Sequence, residues 1–393
     1  EHSTPARHVP EHDDLEALDS SRAHPAAGGA GHYGAAGPAQ AYVRITRGCN
    51  KFCSFCVVPM TRGMEQHRPP DQIVAEARRL AARGVREVTL LGQTVNHYTW
   101  SDDRGRVTTF ADLLRRVHDE VPELPRLRFV TSFPRDFTDD ALRAMAGSPR
   151  ICRYLHIPAQ SGSNRLLKAM NRGYTVEDYR DLLDRARSLM PDICLSGDMI
   201  VGFPGETEAD FTTSVDLLRY ARYKNCFIFK YSPRPGTAAY DRFDDDVPDE
   251  IKRRRNNDLL AVQAEINLAN HRELIGRSVE VLVEGLSKAQ LRRQESEQDR
   301  GCEVEACPPL PRDASDDRIV QLTGRTSGDQ IVVFDGPRSL IGGILPVEVF
   351  AATPYTLHGR LTHAGAVEPA PRALQVETAG SGAFRLRVLN AAS

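Results

Sequence analysis

Between residues 42 and 235, short apolar runs alternate with longer segments whose apolar positions return every three or four residues. The runs 42–46, 86–91, 127–131, 152–157, 193–201 and 225–231 have strand length, and Tyr42-Val43-Arg44-Ile45-Thr46 alternates as a strand does. The periodic segments 70–83, 109–120, 138–146, 163–170, 175–189 and 206–222 are expected helices; Leu113, Leu114 and Val117 share one face, as do Leu182, Leu183 and Ala186. Strand–helix alternation implies a parallel sheet. Six units are too few for a closed eight-fold barrel, so the expected fold is α/β, a partial open (β/α)6 TIM-like barrel over 41–246. A polar helix is expected over 247–276. A second composition follows over 277–352, with strand-like runs from Val279 and at 319–326, 329–335 and 340–350, the pattern of a small OB-like β-barrel. It carries a charged insertion at 287–318, while 1–40 and 353–393, rich in Gly, Ala and Pro, are expected to be a leader or linker and a low-complexity tail.

Composition narrows the class. The chain has 393 residues, enough for two or three domains, with 40% hydrophobic and 26% charged residues, ordinary for a globular protein. A formal net charge of −2 argues against indiscriminate binding along nucleic acid, so any RNA contact must come from local basic patches. One such cluster is Lys252-Arg253-Arg254-Arg255, equally consistent with a solvated helix face. No apolar run approaches the roughly 18 residues of a membrane span, and no secretory signal is visible. Eight cysteines are too sparse for a disulfide scaffold, and thiolate chemistry suits reducing surroundings, which suggests the cytoplasm.

Three of those cysteines stand together. Arg47-Gly48-Cys49-Asn50-Lys51-Phe52-Cys53-Ser54-Phe55-Cys56 spaces its thiols C-x3-C-x2-C in one loop, directly after the first strand, where such barrels keep their chemistry. Four cysteines normally hold an iron–sulfur cluster. With Cys49, Cys53 and Cys56 alone, one iron would stay open to a ligand from outside the protein. A zinc knot or buried free thiols are the alternatives. Closed zinc sites usually join two ligand pairs, and the polar Asn50, Lys51 and Ser54 are foreign to a core. Cys152, Cys194 and Cys226 lie in apolar strands and are expected in the core, and Cys302 and Cys307 fall in the insertion.

Three further loops follow candidate strands: Leu91 to Asn96, Pro158 to Asn164, and Gly197 to Glu206. Their glycines allow a ligand near the backbone, and Gly92, Gln93, Asn96, Gln160, Ser161, Asp198, Gly202 and Glu206 offer groups that can hold a ribose and an amino acid. Each loop could equally be ordinary βα punctuation, with Glu206 only charging a first helical turn.

Over roughly 41–360 the chain resembles the radical S-adenosylmethionine methylthiotransferases. The resemblance rests on Arg47 to Gly63 with Arg68-Pro69, Leu90 to Asn96, His156 to Ser163, Met170 to Thr175 and Val201 to Thr207, in that order. The Leu-Leu-Gly-Gln-x-Val-Asn form is similar to the branch acting on N(6)-dimethylallyladenosine in tRNA, and the C-terminal strands resemble an RNA-binding TRAM domain. The resemblance implies a [4Fe-4S] cluster on Cys49, Cys53 and Cys56 whose open iron binds S-adenosylmethionine, with the eight loop residues as cofactor-binding candidates. It implies a 5′-deoxyadenosyl radical that removes hydrogen from C2 of the adenine before a methylthio group is inserted. The implied partners are the tRNA anticodon loop and a flavodoxin- or ferredoxin-like electron donor, for a monomer with no membrane contact. Family members carry a second [4Fe-4S] cluster in an N-terminal domain. Only a cysteine-free leader precedes Tyr42, and Glu1 stands where Met would begin a chain, so a fragment is expected, able to cleave S-adenosylmethionine without finishing the transfer. Other functions weighed are methylthiolation of a ribosomal-protein aspartate and a noncatalytic RNA-binding protein with a structural metal.

Overall fold

Val43, Ile45, Val88, Leu90, Phe129, Leu155 and Ile157 are fully buried, and the strands that carry them define the first domain. The computed structural model describes residues 39–301, 319–362, 374–379 and 383–388. Six parallel strands follow in chain order: β1 (Gln40–Arg44), β2 (Glu87–Leu91), β3 (Arg126–Phe129), β4 (Tyr154–His156), β5 (Cys194–Val201) and β6 (Asn225–Lys230). Their registers run Gln40↔Glu87, Glu87↔Arg126, Tyr154↔Cys194 and Ser196↔Asn225, and a bridge from Leu127 to Ile151 joins the two three-stranded halves. The sheet is open, as six sequential units require.

The connecting helices are α1 (Pro70–Ala82), α2 (Phe110–Glu120), α3 (Asp139–Gly147), α4 (Asn164–Ala169), α5 (Val176–Leu189) and α6 (Glu208–Ala221). Three of them start with the same device. Thr109, Thr175 and Thr207 each accept from the backbone N–H three residues on, while Asp112, Asp178 and Asp210 bond back to the cap. Such a capping box satisfies two otherwise orphaned backbone donors and sets the angle at which each helix leaves its loop. The apolar faces, such as Leu113, Leu114 and Val117 of α2, then close onto the strands.

The long helix α7 (Asp249–Arg272) packs across β6 with a face that is polar rather than apolar. Asn256 donates to the Ile228 carbonyl at 2.9 Å and Gln263 to the Tyr223 carbonyl at 2.8 Å. Most of the basic cluster is consumed here: Lys252 pairs with Asp245, Arg254 with Glu208, and Arg255 with Glu206 and Glu208.

A closed barrel follows, built from β7 (Ser278–Leu286), β8 (Ile319–Thr326), β9 (Ile331–Pro337), β10 (Ile344–Ala352) and β11 (Leu357–Leu361) in the order β7-β8-β9-β11-β10. Val281, Val283, Leu322, Val332, Phe334, Val347, Val349 and Leu357 fill it. Two segments differ from the sequence expectation. The closing strand β11 lies beyond residue 352, inside the expected tail, because Leu357-His358-Gly359-Arg360-Leu361 buries only Leu357 and Gly359 and hides its alternation behind polar residues. Part of the insertion forms a helix, α8 (Lys288–Gly301), and strands β12 (Leu374–Ala379) and β13 (Ala383–Val388) pair as a hairpin within the tail. Cys302, Cys307 and most of the leader lie outside the described residues.

The small barrel caps the end of the sheet where the strands begin. Arg126, first residue of β3, donates to the carbonyls of Arg325 (2.8 Å) and Glu280 (3.0 Å). Arg128 spans Glu87, at 3.0 Å to each carboxylate oxygen, and the carbonyls of Thr326 and Ser327, both at 3.2 Å. Lys224, just ahead of β6, pairs with Asp329 at 2.5 Å. The βα loops at the opposite end are thereby left open. No helix among the described residues is long and apolar enough to cross a membrane.

Candidate functional site

The cysteine loop leaves β1 through a neck. Thr46 and Arg47 pair antiparallel with His67 and Gln66, so both ends of the loop are clamped together. At the neck Gly48 takes φ +75°, and a Cβ there would lie 2.2 Å from the Met64 carbonyl oxygen, so only glycine fits. Beyond it, Cys49 N–H donates to the Gly63 carbonyl at 3.3 Å and Cys56 N–H to the Cys53 carbonyl at 3.0 Å. The far side is pinned by Ser54 N–H to the Met170 carbonyl (3.0 Å) and by the Asn171 amide to the Phe52 carbonyl (2.9 Å). Lys51 reaches across to pair with Asp136 and lies 5.4 Å from the Phe133 ring centre.

All three thiols are free and half-buried. Cys49 Sγ lies 3.5 Å from the Thr94 hydroxyl, and Cys53 Sγ accepts from the Arg172 guanidinium at 3.3 Å. Burial pushes the Cys56 thiol up, with a further push from the charges of Cys53 and Cys49, while the Val58 backbone and Arg234 pull the other way. The spacing of the sulfurs discriminates between metals. Zinc–sulfur bonds of about 2.3 Å place tetrahedral sulfurs about 3.8 Å apart. Here the three sulfurs do not all lie within 4.8 Å of one another, wider than that tetrahedral spacing. The donor set therefore fits a [4Fe-4S] cluster on Cys49, Cys53 and Cys56.

Among the described residues, the other cysteines stand apart from this loop. Cys152 and Cys226 are buried, with burial pushing the Cys152 thiol up to about 12. Cys194 faces the small barrel, where its sulfur accepts from the Gln330 amide at 2.9 Å.

The loop candidates divide into two groups. Gln93 and Gln160 each bury a side-chain carbonyl oxygen with no protein partner, at the ends of β2 and β4. Gln160 is held for this in a left-handed conformation (φ +73°), its N–H on the Asp198 carbonyl and its carbonyl on the Ile200 N–H, both at 2.8 Å. Asp198, on β5, accepts from His156 Nε2 at 2.9 Å and stays partly open. These groups face the same rim as the thiols and can take a polar ligand.

The second group is engaged in the scaffold. Asn96 spans the Phe133 backbone, accepting at 2.7 Å and donating at 2.9 Å. Gly92 abuts Thr46, whose hydroxyl would lie 2.1 Å from an added Cβ, and Ser161, 1% exposed, accepts from the Ser163 N–H at 3.2 Å. Glu206 has no exposed side-chain surface: its Oε2 accepts from Gly202 N–H (2.6 Å) and Arg255 (2.7 Å), while its Oε1 is buried without a hydrogen-bond partner. Burial pushes the Glu206 carboxyl above its usual value, with the Gly202 N–H and Arg255 opposing. Glu206 and Gly202 therefore close a turn onto α7.

Sequence reasoning quoted Arg172 within the stretch Met170 to Thr175 but gave it no role. Asn171 and Gly173 both take positive φ, which throws Arg172 inward. It stacks 4.5 Å from the Phe133 ring centre and donates to the Pro158 carbonyl (2.9 Å), and its charge faces Cys53.

Comparison with known proteins now defines the class. Residues 43–218 match the Radical SAM superfamily and residues 315–362 the TRAM domain, so the chain joins a radical SAM domain to a TRAM domain. It resembles proteins named tRNA-2-methylthio-N(6)-dimethylallyladenosine synthase: 47% identical to that of Rhodopirellula baltica over 82% of this chain and 63% of the relative. It is 41% identical to that of Acetivibrio thermocellus (82% and 60%) and 42% identical to that of Desulfitobacterium hafniense (83% and 66%). The chain thus spans less than two thirds of the length of these relatives.

Proposed function

We propose that this chain is the radical SAM and TRAM portion of a tRNA methylthiotransferase that adds a methylthio group to C2 of N(6)-dimethylallyladenosine beside the anticodon. The observation that carries the reading is the trio of half-buried thiols spaced C-x3-C-x2-C on the first βα loop, with buried, unpartnered side-chain carbonyl oxygens of Gln93 and Gln160 on the loops after β2 and β4. When bound, a [4Fe-4S] cluster with S-adenosylmethionine supplies one-electron radical chemistry at that rim. The chain's own residues bind and orient. Cys49, Cys53 and Cys56 hold the metal, Arg172 steadies Cys53, and Gln93, Gln160 and Asp198 present acceptors to the polar groups of the cofactor. The TRAM barrel, anchored at the opposite end, supplies a separate RNA grip and leaves the βα-loop end clear for a base swung out of a single-stranded loop.

The same reading places the protein in the cytoplasm as a monomer, served by a flavodoxin- or ferredoxin-like donor. The test is anaerobic reconstitution with iron and sulfide, followed by 5′-deoxyadenosine quantitation and nucleoside mass spectrometry of dimethylallylated tRNA. Cofactor cleavage that depends on all three cysteines supports the assignment; a protein that takes up iron yet never yields 5′-deoxyadenosine under strong reductant refutes it.

A further inference from the structure

A second set of metal-type ligands stands beside the cysteine loop and takes no part in the site described above. Glu65 directly precedes the returning strand of the neck, Gln66–His67, and His67 ends it, so the two side chains stand two residues apart. His97 closes the short turn Val95–His97 after β2. One ligand atom from each of the three residues lies within 4.8 Å of the others, the only such trio among the described residues. The Glu65 side chain is 1% exposed, and its Oε1 is buried with no hydrogen-bond partner, as is His67 Nδ1. Glu65 Oε2 sits 2.5 Å from His97 Nδ1.

Two buried polar atoms without hydrogen-bond partners are costly unless something satisfies them. We propose that Glu65, His67 and His97 form a two-histidine, one-carboxylate site for a divalent transition ion such as zinc, with a coordination position left open toward solvent. Three nitrogen and oxygen ligands plus water is the donor set of an open zinc site. A closed shell at bond lengths of about 2.0–2.1 Å needs ligands about 3.3 Å apart, so the three side chains have little distance to close. The tightest pair, His97 and Glu65, opens slightly once the ion replaces their shared proton. Burial lowers the His67 pKa, which keeps the imidazole in the neutral form that ligates. Tyr98 sets the His67 ring from its edge, centres 5.5 Å apart.

The location gives the ion a task. Glu65 N–H donates to Asn50 Oδ1 at 3.0 Å, next to Cys49, and Thr94, three residues before His97, meets the Cys49 sulfur. An ion held here ties the return strand of the cysteine loop to the β2 loop, and so fixes the two segments that flank Cys49.

The test uses the full chain with its cluster reconstituted, stripped of loose metal by a chelator and equilibrated with buffered micromolar free zinc. Elemental analysis is expected to find one zinc per chain in addition to the iron. X-ray absorption at the zinc edge is expected to show only nitrogen and oxygen ligands near 2.0–2.1 Å. In Glu65→Gln and, separately, in the half-exposed His97→Ala, zinc affinity is expected to fall at least about tenfold, with iron content unchanged. The proposal is overturned if wild-type protein retains no zinc at micromolar free metal, if the zinc shell contains sulfur at about 2.3 Å, or if both variants keep zinc as wild type does. The absorption spectrum needs no variant, so misfolding of either one does not rescue the idea.

Discussion

Replacing Arg255 by Met tests how the loop after β5 is held. Arg255 is 4% exposed and donates to Glu206 Oε2 at 2.7 Å, to the Glu206 carbonyl at 3.1 Å and to Glu208 at 3.2 Å. Methionine keeps most of the volume and removes the charge, leaving Glu206 with only the Gly202 N–H. Opposite charges about 4 Å apart interact by roughly 4 kcal/mol at an effective dielectric of 20, and breaking a buried pair typically costs about 3–5 kcal/mol. At about 2–4 °C per kcal/mol, the melting temperature of Arg255→Met should drop by roughly 6–20 °C at pH 8. The pH sign follows from Glu206. Its folded pKa is already raised, so its neutral form favours the fold, and that contribution is present below the unfolded value and lost as pH rises through the folded one. Removing Arg255 raises the folded value further. The deficit should therefore be smaller at pH 5 than at pH 8, and Glu206→Gln combined with Arg255→Met should recover most of it. Differential scanning fluorimetry of the wild type and both variants across pH 5–8 reads all of this. A deficit below about 1 kcal/mol, one independent of pH, or a double variant no better than the single would refute the reasoning.

Gly48→Ala should lower the iron bound on reconstitution, measured per chain, because the new Cβ collides with the Met64 carbonyl and opens the neck of the cysteine loop; normal loading would contradict the steric account. Arg172→Met should shift the cluster reduction potential to more negative values in an EPR-monitored titration, since hydrogen bonds to sulfur raise it, and an unchanged potential would show that the guanidinium is purely structural. Asp329→Asn should uncouple the TRAM barrel, with a loss of about 3–5 kcal/mol and a separate calorimetric transition, because Lys224, Arg325 and Arg128 all lean on that carboxylate. Although burial opposes it, Lys224, Arg325 and Arg128 hold the Asp329 pKa below its usual value. The docking it stabilises is thus present above the unfolded value and lost as acid protonates the folded carboxylate; a single transition unchanged by Asp329→Asn would refute this.

The six strands and six helices of the partial barrel were legible because each is a short local pattern, an apolar run or a stripe of apolar positions at helical spacing. Cys49, Cys53 and Cys56 were legible because their ligand spacing lies within eight residues of chain. What the sequence hid is long-range. Nothing near Glu206 announces Arg255, 49 residues on, and nothing near Cys53 announces Arg172, 119 residues on. Asn96 looks like a ligand-binding amide until Phe133 is seen to occupy both of its polar atoms. The run Lys252 to Arg255 reads as a basic patch, yet acids from two other segments, Asp245 and the Glu206/Glu208 turn, pair with Lys252, Arg254 and Arg255. The strand Leu357–Leu361 escaped for a different reason: in a barrel this small one buried leucine and one glycine suffice to close the wall.

The most direct measurement is iron content and EPR of protein reconstituted without oxygen, before and after S-adenosylmethionine, compared with Cys49→Ala, Cys53→Ala and Cys56→Ala. About four irons per chain, a reduced-cluster signal that changes on adding S-adenosylmethionine, and loss of both in every cysteine variant are expected. A colourless protein that holds one zinc on its thiolates, or a cluster indifferent to S-adenosylmethionine, would contradict the three-thiolate centre.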